Sequence, residues 1–248
     1  MKIKILSWNI WRGKHLEDAI EYLRRQDADI IGLQEVIEKD AGGKRENLAE
    51  IIAGELGYNF FYCKAFTTDR HTPSYDIGNA VLSRYKIEAS ACHTLSDLED
   101  YEGDSATEPR GVIEAHFKFG DKILKVFNTH LSYSFKLLPS RLRAKQIDRL
   151  VSLLGDTVSM ILVGDFNAEV KGGGELEKIN EKLILADNEE VLRPTWSVYP
   201  VNYKGFKVEG LKYRIDNIFV SKDIKVEMFN VEKSKASDHL PISAVIEV

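Results

Sequence analysis

The stretch Met160-Ile161-Leu162-Val163-Gly164-Asp165-Phe166-Asn167 limits the possible folds of this chain more than any other. Four apolar residues in a row read as a short buried strand. The run then breaks abruptly into polar groups. Gly164 admits a backbone path that a side chain would obstruct. Asp165 and Asn167 are two apart, so on a continuing strand they point to the same side. One brings an anionic oxygen, the other an amide that donates and accepts. The plain structural alternative is a strand closing in an ordinary turn, because Gly, Asp and Asn all form turns.

The same pattern recurs along the chain. Lys2 to Trp8 alternates with a strand period and runs into Asn9. Leu16, Ala19, Ile20 and Leu23 follow at helical spacing. Asp29 to Val36 is a second apolar strand, ending in Gln34-Glu35. A helix is predicted over 45–56, an aromatic strand over 59–66 and a polar loop over 67–76, ending in Asp76. Residues 77–83 and 86–93 read as strands. The segment 95–108 holds six acidic side chains and reads as a solvated, mobile loop. Residues 110–119 and 122–131 form a hairpin across Gly120-Asp121. Helices over 140–154 and 174–184 flank the Gly164 strand, the second after Gly172-Gly173-Gly174. Residues 211–221, 226–231 and 241–248 supply the last strands. No linker divides the 248 residues. One α/β domain over 1–248, with two packed sheets and outer helices, is the expected architecture.

Almost every strand end carries an unusual polar group: Asn9, Glu35, Asn79, Asn128 with His130, Asp165 with Asn167, Asp216, and Asp238 with His239. Burying one such group unpaired costs about 1–3 kcal/mol. Seven burials of that kind would erase the whole stability of a typical domain, about 5–15 kcal/mol. These groups must satisfy each other or share a cation, and one site at one end of layered sheets allows both. Glu35, Asp165 and Asp238, with the amide oxygens of Asn9 and Asn167, are hard oxygen ligands. They suit magnesium, with manganese as a substitute, rather than zinc. His130 and His239 can move protons near neutral pH. Asp216 can orient one of them, and Arg110 is a candidate phosphate fork. This set suits hydrolysis of phosphoesters. Each residue also has a plainer reading as a turn residue, a bulge, a core histidine or a surface ion pair. Their joint occurrence outweighs those readings. His15, His71, His93 and His116 lack such company and read as structural or exposed.

Composition restricts the partners. A net charge of −5 implies no broad basic surface, so tight nonspecific nucleic-acid binding is not the default. A nuclease is still compatible, since a hydrolase needs only transient contact. Cys63 and Cys92 show no metal spacing and read as small buried hydrophobes in a reducing compartment. No signal peptide or membrane-spanning run is evident, and a cytoplasmic monomer is expected.

Taken together, Ser7-Trp8-Asn9-Ile10, Leu33-Gln34-Glu35-Val36, Gly78-Asn79-Ala80-Val81-Leu82-Ser83, Glu108-Pro109-Arg110-Gly111, Asn128-Thr129-His130-Leu131, Gly164-Asp165-Phe166-Asn167, Arg214-Ile215-Asp216 and Ser237-Asp238-His239-Leu240-Pro241 resemble the endonuclease/exonuclease/phosphatase superfamily, the deoxyribonuclease-I-like fold. The resemblance implies a four-layer α/β/β/α sandwich with the site at one end. It implies that Glu35, helped by Asn9 and Asp238, binds magnesium, and that Asp165 and Asn167 orient the attacking water. His239, held by Asp216, would be the general base or stabilise charge on phosphorus. His130, supported by Asn128 and with Asp76 as a partner, would be the general acid or an oxyanion contact. Arg110 would grip a phosphate oxygen; Asn79, and Trp196 from its place in loop 193–213, are expected as further substrate contacts. Which histidine protonates the leaving group stays open. Abasic-site enzymes of the family carry a tyrosine where His130 stands, which disfavours that branch.

Loops 132–145 and 193–213 interleave basic and aromatic residues, which suits a nucleic-acid strand or a nucleotide. The leading expectation is a phosphodiesterase or nuclease. The alternatives are a phosphatase or phosphodiesterase on a small phosphorylated metabolite or lipid headgroup, and a catalytically degenerate binding module.

Overall fold

In the computed structural model, which describes residues 1–68, 73–97, 99, 108–170 and 174–248, the N-terminal alternation sorts side chains into two different cores. Strand β1 (Lys2–Asn9) sends Ile3 and Ile5 to one side and Leu6 and Trp8 to the other. A strand apolar on both sides must lie inside a layered structure.

The first sheet contains β1, β2 (Ile30–Asp40), β3 (Arg45–Asn47), β4 (Asn59–Thr68), β5 (Tyr75–Ser83), β14 (Lys225–Val231) and β15 (Ile242–Glu247). Its order is β14-β15-β1-β2-β5-β4, with β3 paired to the outer end of β2. The second contains β6 (Ala89–Ser96), β7 (Arg110–Phe119), β8 (Lys122–His130), β9 (Met160–Asp165), β10 (Ile184–Leu185) and β13 (Asp216–Val220). Its order is β10-β13-β9-β8-β7-β6. A separate hairpin pairs β11 (Val201–Tyr203) with β12 (Phe206–Val208).

Helices α1 (Leu16–Gln26) and α2 (Leu48–Leu56) bury Ala19, Leu23, Ala49 and Ile52 against Leu6, Trp8 and Leu33 of the first sheet. Helices α3 (Arg141–Leu154) and α4 (Glu177–Lys182) bury Ile147, Leu150 and Ile179 against Phe127, Leu162 and Phe219 of the second. Ile3, Ile5, Ile30 and Val81 meet Ile113, Val126, Ile161 and Ile218 between the sheets. The layers are therefore α/β/β/α, as expected. Local chemistry starts the helices: the side chain of Asn47 accepts from Ala49 N–H and that of Ser140 from Arg143 N–H.

Several boundaries move. The helix expected from residue 45 begins at Leu48, because 45–47 pair with β2 as a hairpin. The predicted loop 67–76 is shortened from both ends, β4 running to Thr68 and β5 starting at Tyr75. The strand expected at 211–221 covers only Asp216–Val220, and the helix expected at 174–184 only Glu177–Lys182. Residues 98 and 100–107 of the acidic loop, together with His71, Gly172 and Gly173, lie outside the described residues. Cys63 and Cys92 do not stand apart as expected. They form a disulfide with Cα atoms 5.8 Å apart, joining β4 of one sheet to β6 of the other. Neither spacing nor composition signals this pairing, because the two strands meet only across the inter-sheet layer. Among the described residues, no helix is long and apolar enough to cross a membrane.

Candidate active site

Each central strand carries a row of side chains pointing between the sheets, and each row changes from apolar to polar at the same end. On β1 the row is Ile3, Ile5, Ser7, Asn9; on β8 it is Leu124, Val126, Asn128, His130; on β9 it is Ile161, Val163, Asp165. Strand β13 runs antiparallel to β9, so its row opens with the polar Asp216 and continues through Ile218 and Val220. Period-two alternation thus delivers these residues to one place. Gly164 is needed by close approach: a Cβ there would lie 2.0 Å from the Thr129 carbonyl oxygen on the neighbouring strand.

Glu35 arrives by another route. Continuing the alternation from Ile30 through Gly32 points Gln34 inward and Glu35 outward. A register shift between Leu33 and Val36 makes a bulge, and Glu35 takes a φ of 54°. The bulge re-aims the side chain. Glu35 Oε1 receives the Asn9 amide at 3.5 Å, and the same amide reaches Asp165 Oδ2 at 3.1 Å. Glu35 Oε2 is buried without a hydrogen bond, with Arg12 Nε at 3.2 Å but out of alignment.

Asp165 and Asp216 are direct partners in the β9–β13 register, and both are 1% exposed. His239 joins them. Its Nδ1 lies 3.0 Å from Asp216 Oδ2, and its Nε2 lies 3.6 Å from Asp165 Oδ2. Burial pushes the Asp165 carboxyl up to about 7; His239 opposes this and the Asp216 charge adds to it. Burial alone would lower the His239 ring. The Asp216, Asp165 and Asp238 carboxylates outweigh it and raise the ring well above its ordinary value. His239 is therefore an imidazolium wedged between two acids. The loop carrying it is fastened to β1: Trp8 Nε1 donates to the His239 carbonyl at 2.9 Å, and Ser237 Oγ donates to the Asn9 carbonyl at 2.6 Å.

His130 is the opposite case. Burial, then Arg110, His239 and Arg12, push its ring well below its ordinary value, so it is neutral. Arg110 Nη1 stands 3.2 Å from His130 Nδ1. The guanidinium offers a donor to Nδ1. Nε2 lies 3.0 Å from the Asn167 amide nitrogen, a second donor, and 3.4 Å from Asp165 Oδ2, an acceptor. Asn167, at a φ of 49°, donates to the Leu131 carbonyl at 2.9 Å, and its own N–H donates to Asp165 Oδ1 at 2.9 Å.

The structure therefore gathers Asn9, Glu35, His130, Asp165, Asn167, Asp216 and His239 at one end of the layer, with Asp238 half-buried beside them. Trp196 flanks His239 with rings 6.3 Å apart, and its Nε1 donates to Asp238 Oδ2 at 3.3 Å. Asn79 donates to the Gly111 carbonyl and lines a small cavity with Arg110 and His130.

Four expectations change, among them the ligand role of Asn9. Asn128 lies one step behind His130, and its amide donates to the Leu33 and Ala80 carbonyls of the facing sheet. It clamps the sheets together rather than touching the site's open end. Asp76 is not a partner of His130, because Arg45, Lys64 and Thr67 surround it. Arg110 is 7% exposed and bonds Glu108 as well as His130, so it is not an open phosphate fork. Of the outlying histidines, His93 and His116 both meet Glu114.

Sequence reading missed Gln34, which donates to Asn128 Oδ1 at 2.7 Å and to Ser7 Oγ at 3.1 Å. It also missed Arg12 beside Glu35, and the buried Asp187–Arg214 pair that backs the Asp216 backbone. Only the position of Arg12 just after Asn9 could have signalled one of them.

The donor set fits a hard divalent cation. Glu35 Oε2 is a buried carboxylate oxygen without a hydrogen bond. Asp165 and Asp216 place carboxylate oxygens within 4.8 Å of each other beside charged His239. Desolvated, crowded carboxylates of this kind are stabilised by a cation. Asn9 departs from the expected ligand role: its Oδ1 accepts from Trp11 N–H at 3.0 Å, and its NH2 holds Glu35 and Asp165 together.

Comparison with known proteins bears on the family and the fold. The Endonuclease/Exonuclease/phosphatase family profile matches residues 6–239. A solved endonuclease/exonuclease/phosphatase from Beutenbergia cavernae DSM 12333 superposes with a TM-score of 0.78 at 18% identity, over 100% of this chain and 72% of that one. D. rerio TDP2 complexed with single strand DNA product gives 0.68 at 18%, over 100% and 99%. The mannosyl-6-phosphatase of Bacteroides thetaiotaomicron VPI-5482 also gives 0.68 at 18%, over 99% and 100%. At these identities the structural likenesses show the fold. No curated protein matches the sequence significantly.

Proposed function

The chain belongs to the endonuclease/exonuclease/phosphatase family, metal-dependent hydrolases of phosphoester bonds, and on that footing we propose that it is a magnesium-dependent phosphodiesterase cleaving nucleic acid by attack of water on phosphorus. The observation that carries this reading is the buried run Asp216–His239–Asp165 beside neutral His130. Asp165, buried between His239 and His130, is placed to accept a proton from water. Charged His239, held by Asp216, offers its Nε2–H to an oxygen gaining negative charge. His130, neutral between Arg110 and Asn167, is the second group placed to exchange a proton or contact the phosphate. Asn167 holds His130 and Asp165 in register. Glu35 and Asp238 would hold the cation, with Asn9 setting the Glu35 carboxylate. When bound, the cation supplies Lewis-acid polarisation of the phosphoryl oxygens.

The surface beside the cluster supports nucleic acid over a small substrate. Tyr133 packs on Tyr203 with rings 6.5 Å apart, and Phe135 on Phe206 at 6.3 Å. Lys136, Lys204 and Lys212 each stand over an aromatic ring, at 5.4, 5.3 and 5.4 Å. Phe135 and Tyr203 are exposed, at 41% and 47%. Aromatic faces with interleaved cations stack bases and follow a phosphate backbone. Arg143, fully buried, bonds the Ser132 and Leu138 carbonyls and Glu175, so the loop bearing Tyr133 and Phe135 is pre-shaped.

A phosphatase acting on a small phosphorylated metabolite or lipid headgroup is the second reading, favoured by the mannosyl-6-phosphatase at the same TM-score as the DNA complex. A degenerate binding module ranks last, because no matched position is missing. The test is hydrolysis of labelled DNA, labelled RNA, bis-p-nitrophenyl phosphate and p-nitrophenyl phosphate, with magnesium and with chelator. Cleavage of nucleic acid and the diester only with magnesium is the expected result. Activity on the monoester alone would remove the nuclease reading.

A further inference from the structure

We propose that Arg12 is the residue that grips a phosphate oxygen of the substrate, the role the sequence pattern assigned to Arg110. This rests on the phosphoester reading above. The site holds four acids, Glu35, Asp165, Asp216 and Asp238, and its substrate is an anion. Beyond the metal ion and His239, a side-chain cation at the entrance would offset this charge within reach of the phosphate. Arg110 is 7% exposed and has Nη1 on His130 and Nη2 on Glu108; its Nε is buried without a partner and does not face solvent.

Arg12 has the position and the freedom that Arg110 lacks. Its side chain is 41% exposed, and its Nε lies 3.2 Å from Glu35 Oε2. Tyr75 is its second partner. The guanidinium is thus tethered beside a central carboxylate of the site and faces solvent. Its charge is felt at His130, whose ring it helps to keep neutral. A guanidinium presents a rigid set of donors that matches phosphate oxygens.

The backbone is built to aim this side chain. Trp11, Arg12 and Gly13 take φ values of 49°, 56° and 69°, a left-handed turn that L-residues rarely adopt. Trp11 N–H donates to Asn9 Oδ1 at 3.0 Å, and Gly13 N–H to the Ile10 carbonyl at 2.9 Å. A Cβ on Gly13 would lie 2.5 Å from Leu48 Cδ1, so the turn is packed against α2. This turn sets Arg12 beside Glu35, with its side chain still open to solvent.

The experiment compares wild type, Arg12→Gln and Arg12→Lys as full chains with magnesium. Inorganic phosphate is titrated by calorimetry and tested as an inhibitor of bis-p-nitrophenyl phosphate hydrolysis. Arg12→Gln is expected to weaken phosphate binding and raise KM together, by about ten- to a hundredfold, the range of one lost charged hydrogen bond. kcat is expected to stay within about threefold. Arg12→Lys keeps the charge but not the fork and is expected to fall between. Unchanged calorimetric phosphate affinity in Arg12→Gln overturns the proposal. An equal loss of magnesium affinity also overturns it, because Arg12 would then act through Glu35. If Arg12→Gln does not fold, Arg12→Lys with wild-type phosphate affinity overturns it in turn. If wild type hydrolyses nothing, the functional reading fails, while the calorimetric comparison still decides the role of Arg12.

Discussion

The two ends of the inter-sheet layer are made by the same strands and the same inward-facing rows, yet they differ completely in chemistry. At the far end Ile3, Leu124, Ile161, Val220 and Ile246 are fully buried or nearly so, and make only apolar contacts with their side chains. At the near end Asn9, His130, Asp165, Asp216 and His239 are buried to almost the same degree. The far end gains from removing apolar surface from water. The near end gains little of that kind; its groups bond one another, and a cation would join its acids. Buried polar atoms without a hydrogen bond include Gln34 Oε1, Glu35 Oε2 and Arg110 Nε, all at the near end. One architecture thus separates stability from chemistry along a single strand, four residues apart on β9 between Ile161 and Asp165.

That separation can be broken most sharply at His239. His239→Ala is expected to lower kcat about a thousandfold or more, since both the charge and the proton donor disappear. Steady-state hydrolysis of the diester measures it, and retention of kcat within tenfold would contradict the division. The far end should behave in the reverse way. Ile161→Ala is expected to cost about 2–5 kcal/mol in urea unfolding, the range for an emptied core site, with kcat/KM changed less than about threefold. A loss of activity matching that at His239 would show that the two ends are not separable.

A smaller effect sharpens the contrast. In chelated protein, the raised His239 contributes stability that is fully present below its ordinary value of 6.5 and is lost as pH rises through its folded value. Asp165 has the same sign: the fold favours its protonated form, so its contribution fades as pH climbs from 3.8 to about 7. Unfolding free energy is therefore expected to decline toward alkaline pH, with a shallower slope in His239→Gln and an unchanged slope in Ile161→Ala. Parallel slopes in all three proteins would place the titration elsewhere.

The contrast also explains what was legible in the sequence. Residues delivered by simple alternation, such as Asp165, His130 and Asp216, stand at the ends of apolar rows that the sequence displays. Glu35 is reached only through a bulge, and alternation alone would have turned it outward. Asn128 shares its row with His130, so spacing could not show that it stops between the sheets as a clamp. Arg110 has the right motif, but its burial and its bond to His130 depend on β7 lying beside β8. The Cys63–Cys92 pairing and the aim of Arg12 depend on contacts across layers and on a left-handed turn, neither of which leaves a periodic trace.

The central claim is that buried acids at the near end converge because a divalent cation joins them. Electron paramagnetic resonance titration of manganese into the chelated full chain, wild type beside Glu35→Gln, tests it most directly. The result expected is saturable binding in wild type that weakens at least about tenfold in Glu35→Gln. No saturable binding in wild type, or equal binding in both, would contradict it.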